Sequence, residues 1–162
     1  TGGYAVFGSE TGAIHVVTGD ATADPWFGNG GRIQVTGEDG AFPDAVDIGR
    51  SLVELEDGGF AMLSPQSMKV YCVRPDGEPH TFIGDGGVID VARAFPIAST
   101  LSPRLVQGAS GSFATIETEI DALIVFDRTG KPDSNVANGT GLVPYTGAGA
   151  VTGGGNVLGS TD

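Results

Sequence analysis

One cysteine, Cys72, stands in the whole sequence, so no intramolecular disulfide can hold this fold together. Inside "MKVYCV" it reads as a small buried hydrophobe rather than a nucleophile. Basic residues are scarce: 8 Lys and Arg face 20 Asp and Glu, for a formal net charge of −12. That balance argues against nucleic acid and anionic membrane surfaces as partners, since both need basic patches. Histidine occurs twice, at His15 and His80, and no His/Cys pair has zinc-ligand spacing. No apolar run reaches the length of a membrane-spanning helix, so no membrane insertion is expected. Long segments with a clean 3.6-residue apolar period are missing too, which removes the main signal for helices. The chain opens on Thr1 without a leader pattern, as expected of a processed chain or of a piece of a longer one.

Glycine is what the sequence has in excess, with 28 among 162 residues. The glycines sit mostly at the ends of short apolar runs rich in Val, Ile, Phe, Tyr and Thr, the pattern of many strands joined by turns. The expected class is all-β. The length allows one domain with a sizeable core.

The turns recur. "GGYAVF" (2–7), "GGFAML" (58–63) and "GSFATI" (111–116) share one pattern, with 56 residues from Tyr4 to Phe60 and 53 from Phe60 to Phe113. A second marker keeps step: "FGNGGRIQV" (27–35), "IGDGGVIDV" (83–91) and "ANGTGLVPY" (137–145). Gly31 to Gly87 is 56 residues and Gly87 to Gly141 is 54. Internal self-similarity of this length signals a blade-sized unit repeated along the chain. The middle unit spells out its strands. "SLVEL" (51–55) and "FAML" (60–63) flank an Asp-Gly hairpin turn; "KVYCV" (69–73) and "VIDV" (88–91) follow. The third has "RLVQ" (104–107), "FATI" (113–116), "ALIVF" (122–126) and "LVPY" (142–145). The first has "YAVF" (4–7), "IHVV" (14–17) and "RIQV" (32–35) with no strand before them, while "GAV" (149–151) and "NVL" (156–158) begin another unit. The expected organisation is one β-repeat domain over 1–162, with repeats at about 1–50, 51–103 and 104–148 and a partial one at 149–162. The expected fold is a propeller-like array of about three four-stranded antiparallel blades of 53–56 residues, completed by another chain or by further repeats.

"ADPWFGNGGRI" (23–33), "EDGGFAML" (56–63), "VRPDGEPHTFIGDGGVI" (73–89) and "FDRTGKPDSNVANGTGLV" (126–143) resemble the turn signatures of the bacterial delta-60 repeat family. The third segment departs from them, with Val136 and Ala137 in place of the Phe-Gly pair. The resemblance covers nearly the whole chain. It implies a propeller-like protein that is secreted or displayed at the cell surface. It brings no catalytic residues.

Carboxylates beside glycines are the best candidates for a ligand role. Asp20 and Asp24 in "TGDATAD" and Asp127 and Asp133 in "DRTGKPD" admit two readings. They could bind Ca²⁺, which takes clustered oxygens, although no EF-hand or nonapeptide pattern is present. Or they are turn residues whose side chains bond the backbone two residues on. Asp39, Asp44 and Asp47 form a weaker second group. "GASGS" (108–112) lacks the second glycine and the helix of a nucleophile elbow. His80 falls where the first repeat has Asp24 and the third Ser134, and reads as a loop residue. Tyr4, Phe60 and Phe113, and Trp26, Phe82 and Val136, recur in register and are expected between blades. Three blades leave open edges that pair with other chains, so the expected partner is protein, in a homo-oligomer, a polymer or a ring-completing complex. The function expected is a non-catalytic structural or adhesive module, with no required cofactor; a ligand- or calcium-binding module is the alternative, and a propeller enzyme the remotest.

Overall fold

The computed structural model describes residues 3–45, 48, 51–96, 98, 101–108 and 110–144. Asp47, Tyr145 and the strands expected at 149–151 and 156–158 lie outside them.

The chain is mostly β, built as three antiparallel sheets. The first holds β1 (Tyr4–Gly8), β2 (Ala13–Val17) and β3 (Arg32–Gln34). The middle sheet holds β4 (Leu52–Glu54), β5 (Phe60–Ser64), β6 (Lys69–Val73) and β7 (Val88–Asp90), in that spatial order. The third holds β8 (Leu101–Gln107), β9 (Phe113–Glu117), β10 (Ala122–Phe126) and β11 (Leu142–Pro144), likewise in order. No closed propeller forms among the described residues, and the first sheet has three strands rather than four. Its first described strand is β1, which among the described residues has no neighbour of the kind that β4 gives β5 and β8 gives β9.

The sheets stack because the middle one is apolar on both sides. Every residue of β5 is buried, which is what period-2 alternation produces when both faces are covered. Phe60 and Met62, with Tyr71 and Val73 of β6, pack with Ile14, Phe27 and Ile33 of the first unit. Ala61 and Leu63, with Val70 and Cys72, face the other way and pack with Leu105, Phe113, Ile124 and Phe126. Cys72 is fully buried, and desolvation, with a smaller contribution from the Asp57 charge, pushes its thiol up to about 12. It is a core residue with no usable thiolate at neutral pH.

The connections also recur. After β3, Phe42 folds back onto Tyr71, with ring centroids 5.0 Å apart. After β7, a single helical turn, α1 (Val91–Ala94), delivers Phe95 to Phe126 at 6.5 Å. Asp90 caps that turn by accepting from the Arg93 backbone N–H at 3.0 Å. Across the next gap, the Ser51 hydroxyl accepts from Leu105 N–H at 2.6 Å and donates to Leu105 C=O at 3.1 Å, tying the start of the middle unit to β8.

Candidate functional site

The loop between the last two described strands of each unit is built the same way three times. In the first, Ala21 N–H donates to Thr18 C=O, Thr18 N–H to Thr22 C=O and Asp24 N–H to Val16 C=O. The counterparts are Gly77 to Arg74, Arg74 to Glu78 and His80 to Cys72, then Gly130 to Asp127, Asp127 to Lys131 and Asp133 to Val125. These bonds correct one alignment: His80 corresponds to Asp133, not Ser134. They also show that Asp20 and Asp127 are not counterparts. Asp20 corresponds to Thr129, and Asp127 to Thr18.

All four nominated carboxylates are bonded within their own loops. Asp20 accepts from the Thr18 hydroxyl, from the Thr22 hydroxyl at 2.8 Å and from Thr22 N–H at 3.3 Å. Asp24 accepts from Trp26 N–H at 2.9 Å. Asp127 accepts from Thr129 N–H at 2.8 Å, the Thr129 hydroxyl at 2.7 Å and Lys131 N–H at 3.0 Å. Asp133, nearly buried, accepts from Asn135 N–H at 2.9 Å and its side-chain amide at 3.1 Å. These are Asx turns. Among the described residues, no three His, Cys, Asp or Glu side chains come together in a way that could hold a metal ion.

The bonds leave an electrostatic trace. Donors on Thr18 and Thr22 hold the Asp20 carboxyl below its ordinary value of 3.8. At Asp127 partial burial pushes upward, but the Thr129 and Lys131 donors outweigh it and the net shift is down. A carboxylate depressed in the folded state stabilises fully above its unfolded value and loses that effect as pH falls through the lower folded one. Asp127→Asn, which removes the charge and keeps the shape, is therefore expected to lower stability at pH 7 by less than about 1 kcal/mol, given its exposure. The difference from wild type should vanish below the depressed folded value of Asp127, somewhere under pH 3.8. Urea unfolding of both proteins at a series of pH values checks this.

The aromatic expectation divides. Phe60 and Phe113 are buried, but Tyr4 is 71% exposed, Trp26 90% and Phe82 80%. At the loop, the buried residue is the next one along: Phe27 and Ile83 are core, with Phe27 set edge-on to Phe60 at 5.3 Å. Phe27 N–H donates to Asp24 C=O, Ile83 N–H to His80 C=O and Val136 N–H to Asp133 C=O, so Val136 matches Phe27, not Trp26. Trp26 and Phe82 stand at the tip of the turn and point outward.

One polar pair was not legible in the sequence. His80 Nε2 lies 2.8 Å from Asp57 Oδ2, joining the second loop to the β4–β5 hairpin. Gln107, Gly111 and Arg128 of the third unit line the same cleft. His80 Nδ1 is buried without a protein partner. The two residues are 23 apart in the chain, and no local spacing announces the contact.

Among the described residues, no further sheet packs on the two end faces of the stack. The third sheet turns Val106, Ala114, Ile116, Leu123, Val125 and Val143 away from the core. In the middle sheet the counterparts are Val53, Ala61, Leu63, Val70, Cys72 and Ile89, which the third sheet covers. The first sheet turns Tyr4, Val6, His15, Val17, Arg32 and Gln34 outward. The counterparts of Tyr4 and Val6 are Phe60 and Met62, 5% and 0% exposed, against 71% and 61% here. No protein-family model and no curated protein matches this chain. No helix among the described residues is long and apolar enough to cross a membrane.

Proposed function

We propose that this chain is a non-catalytic structural or adhesive module of a secreted or cell-surface assembly, a propeller-like arc that associates through its open sheets. The observation that carries the reading is the third sheet's outward face. All six residues named above are apolar; five of their counterparts one sheet earlier are core, and the sixth, Val53, packs against it. A surface of that composition is built to be covered. The delta-60 resemblance supplies the surface location. The buried, high-pKa Cys72 and carboxylates committed to their own turns agree with a scaffold.

A second reading, a ligand- or calcium-binding module, draws on the outward Trp26 and Phe82 at matching turn tips, which offer flat apolar surface to a glycan or peptide.

Sedimentation over a range of concentrations, with and without EDTA, tests both. The expected result is a particle larger than the 16.3 kDa chain, unchanged by EDTA. A single-chain particle at every concentration overturns the assembly reading. An assembly that EDTA dissolves shifts the weight to calcium at the aspartate loops.

A further inference from the structure

We infer that two copies of this chain close head to tail into one ring of six sheets, the third sheet of each copy covering the first sheet of the other. This rests on the assembly reading and names its partner.

The interface needed already exists twice inside the chain. Middle sheet on first and third sheet on middle use the same strand faces, and they also share two loop contacts. Gly28 N–H donates to Pro75 C=O and Gly84 N–H to Arg128 C=O, each at 2.7 Å. Gly77 sits against Ile33, and Gly130 against Ile89, of the preceding sheet. Among the described residues, each contact has one half left over at each end of the stack. The third donor is Ala137 N–H and the missing acceptor is Gly19 C=O. The third apolar seat is Val143, 38% exposed where Ile33 and Ile89 are 2% and 1%. The residue to fill it is Ala21, the counterpart of Gly77 and Gly130, which holds the same left-handed backbone at φ 64°.

The two end faces differ, so the contact is head to tail and makes either a ring or an open filament. Closed radial sheet arrays hold about four to eight sheets. The described residues of one copy make three, which is too few; those of two copies give six, within the range. What the first sheet presents suits a second copy as the occupant. Tyr4, Val6 and Val17 stand beside His15, Arg32 and Gln34, where the middle sheet has Phe60, Met62, Val73, Tyr71, Val88 and Asp90. That mixed composition is typical of contacts between separate chains, which are less apolar than a core.

The internal contacts give the test its geometry. A Cβ at Gly130 would lie 3.8 Å from Ile89 Cβ, within disulfide range. Across the ring the corresponding pair is Ala21 and Val143. The double variant Ala21→Cys, Val143→Cys, oxidised in a glutathione buffer, is expected to run on a non-reducing gel mostly at twice the chain mass. Either single variant should stay at the chain mass, since Cys72 is buried. Sedimentation of the unmodified chain should give the same doubled mass. A crosslinked ladder overturns ring closure. A doubled mass in the unmodified chain with no crosslink overturns this pairing and leaves the assembly reading standing. A single-chain mass in the unmodified protein overturns both.

Discussion

Phe113→Ala is expected to cost about 3–5 kcal/mol, the range for deleting a fully buried aromatic ring. Phe113 has no exposed surface and sits opposite Phe126 in the β9–β10 register, their rings stacked with centroids 5.9 Å apart. Phe126 in turn meets Phe95, so the ring lies in a row that joins third sheet, middle sheet and connector. Such a cluster cannot collapse around a hole without moving the β8–β9 pairing. In a chain of this size each kcal/mol corresponds to roughly 2–4 °C in Tm. The matched control is Tyr4→Ala. Tyr4 occupies the corresponding place in β1 but is 71% exposed. At a dilution where chains are single, its loss should change stability by no more than about 0.5 kcal/mol. Denaturant titration of both variants reads the contrast. Equal losses would mean that the first sheet's outward face is covered within one chain.

Strands and turns were legible in this sequence because the signals are local. Asp-Gly and Gly-Gly pairs mark where the backbone must reverse, and short alternating runs between them have nowhere else to fold. "KVYCV" and "ALIVF" are strands over the residues expected, and most others differ at their ends by one to three residues. What failed was register within the loops. Trp26 and Phe82 look like core aromatics by spacing, yet the Asx turn at Asp24 directs Trp26 outward and hands the core to Phe27. The third loop hid this because it carries one more residue between the buried position and the closing glycine. The count is four from Phe27 to Gly31 and from Ile83 to Gly87, but five from Val136 to Gly141. The four aspartates do not fall at one repeated position, for a related reason. The same turn is closed by a carboxylate at its third residue in one unit and at its first in another. A motif written as a carboxylate spacing therefore joins positions that the backbone keeps distinct. The His80–Asp57 contact depends on two loops from opposite ends of the middle sheet's sequence, and nothing in either loop encodes the meeting.

That extra residue makes the second large effect predictable. Gly84→Ala should destabilise the fold by roughly 3–5 kcal/mol, while Gly86→Ala, two residues on, should cost about 1–2 kcal/mol. Both glycines have φ of 59°, so both substitutions carry the left-handed penalty of an L-residue. The difference is space. A Cβ at Gly84 would run into the Val88 carbonyl oxygen, with the carbonyl carbon at 2.5 Å and Ile89 N at 2.9 Å, all backbone. These atoms cannot rotate away, and relief requires breaking the Asp85–Val88 bridge or the 2.7 Å bond from Gly84 N–H to Arg128 C=O that ties the middle unit to the third. A Cβ at Gly86 meets nothing within 4 Å. The third unit already shows the escape: Ala137, the counterpart of Gly84, holds φ of 50° with a side chain in place, in the loop that is one residue longer. An insertion that lengthens the Ile83–Gly87 loop by one residue should therefore rescue Gly84→Ala in part and do little for Gly86→Ala. Unfolding free energies of the two single variants and their insertion partners measure this. Equal costs for Gly84→Ala and Gly86→Ala would mean that backbone conformation alone, and not the close approach of β7, selects glycine at the first of these turns.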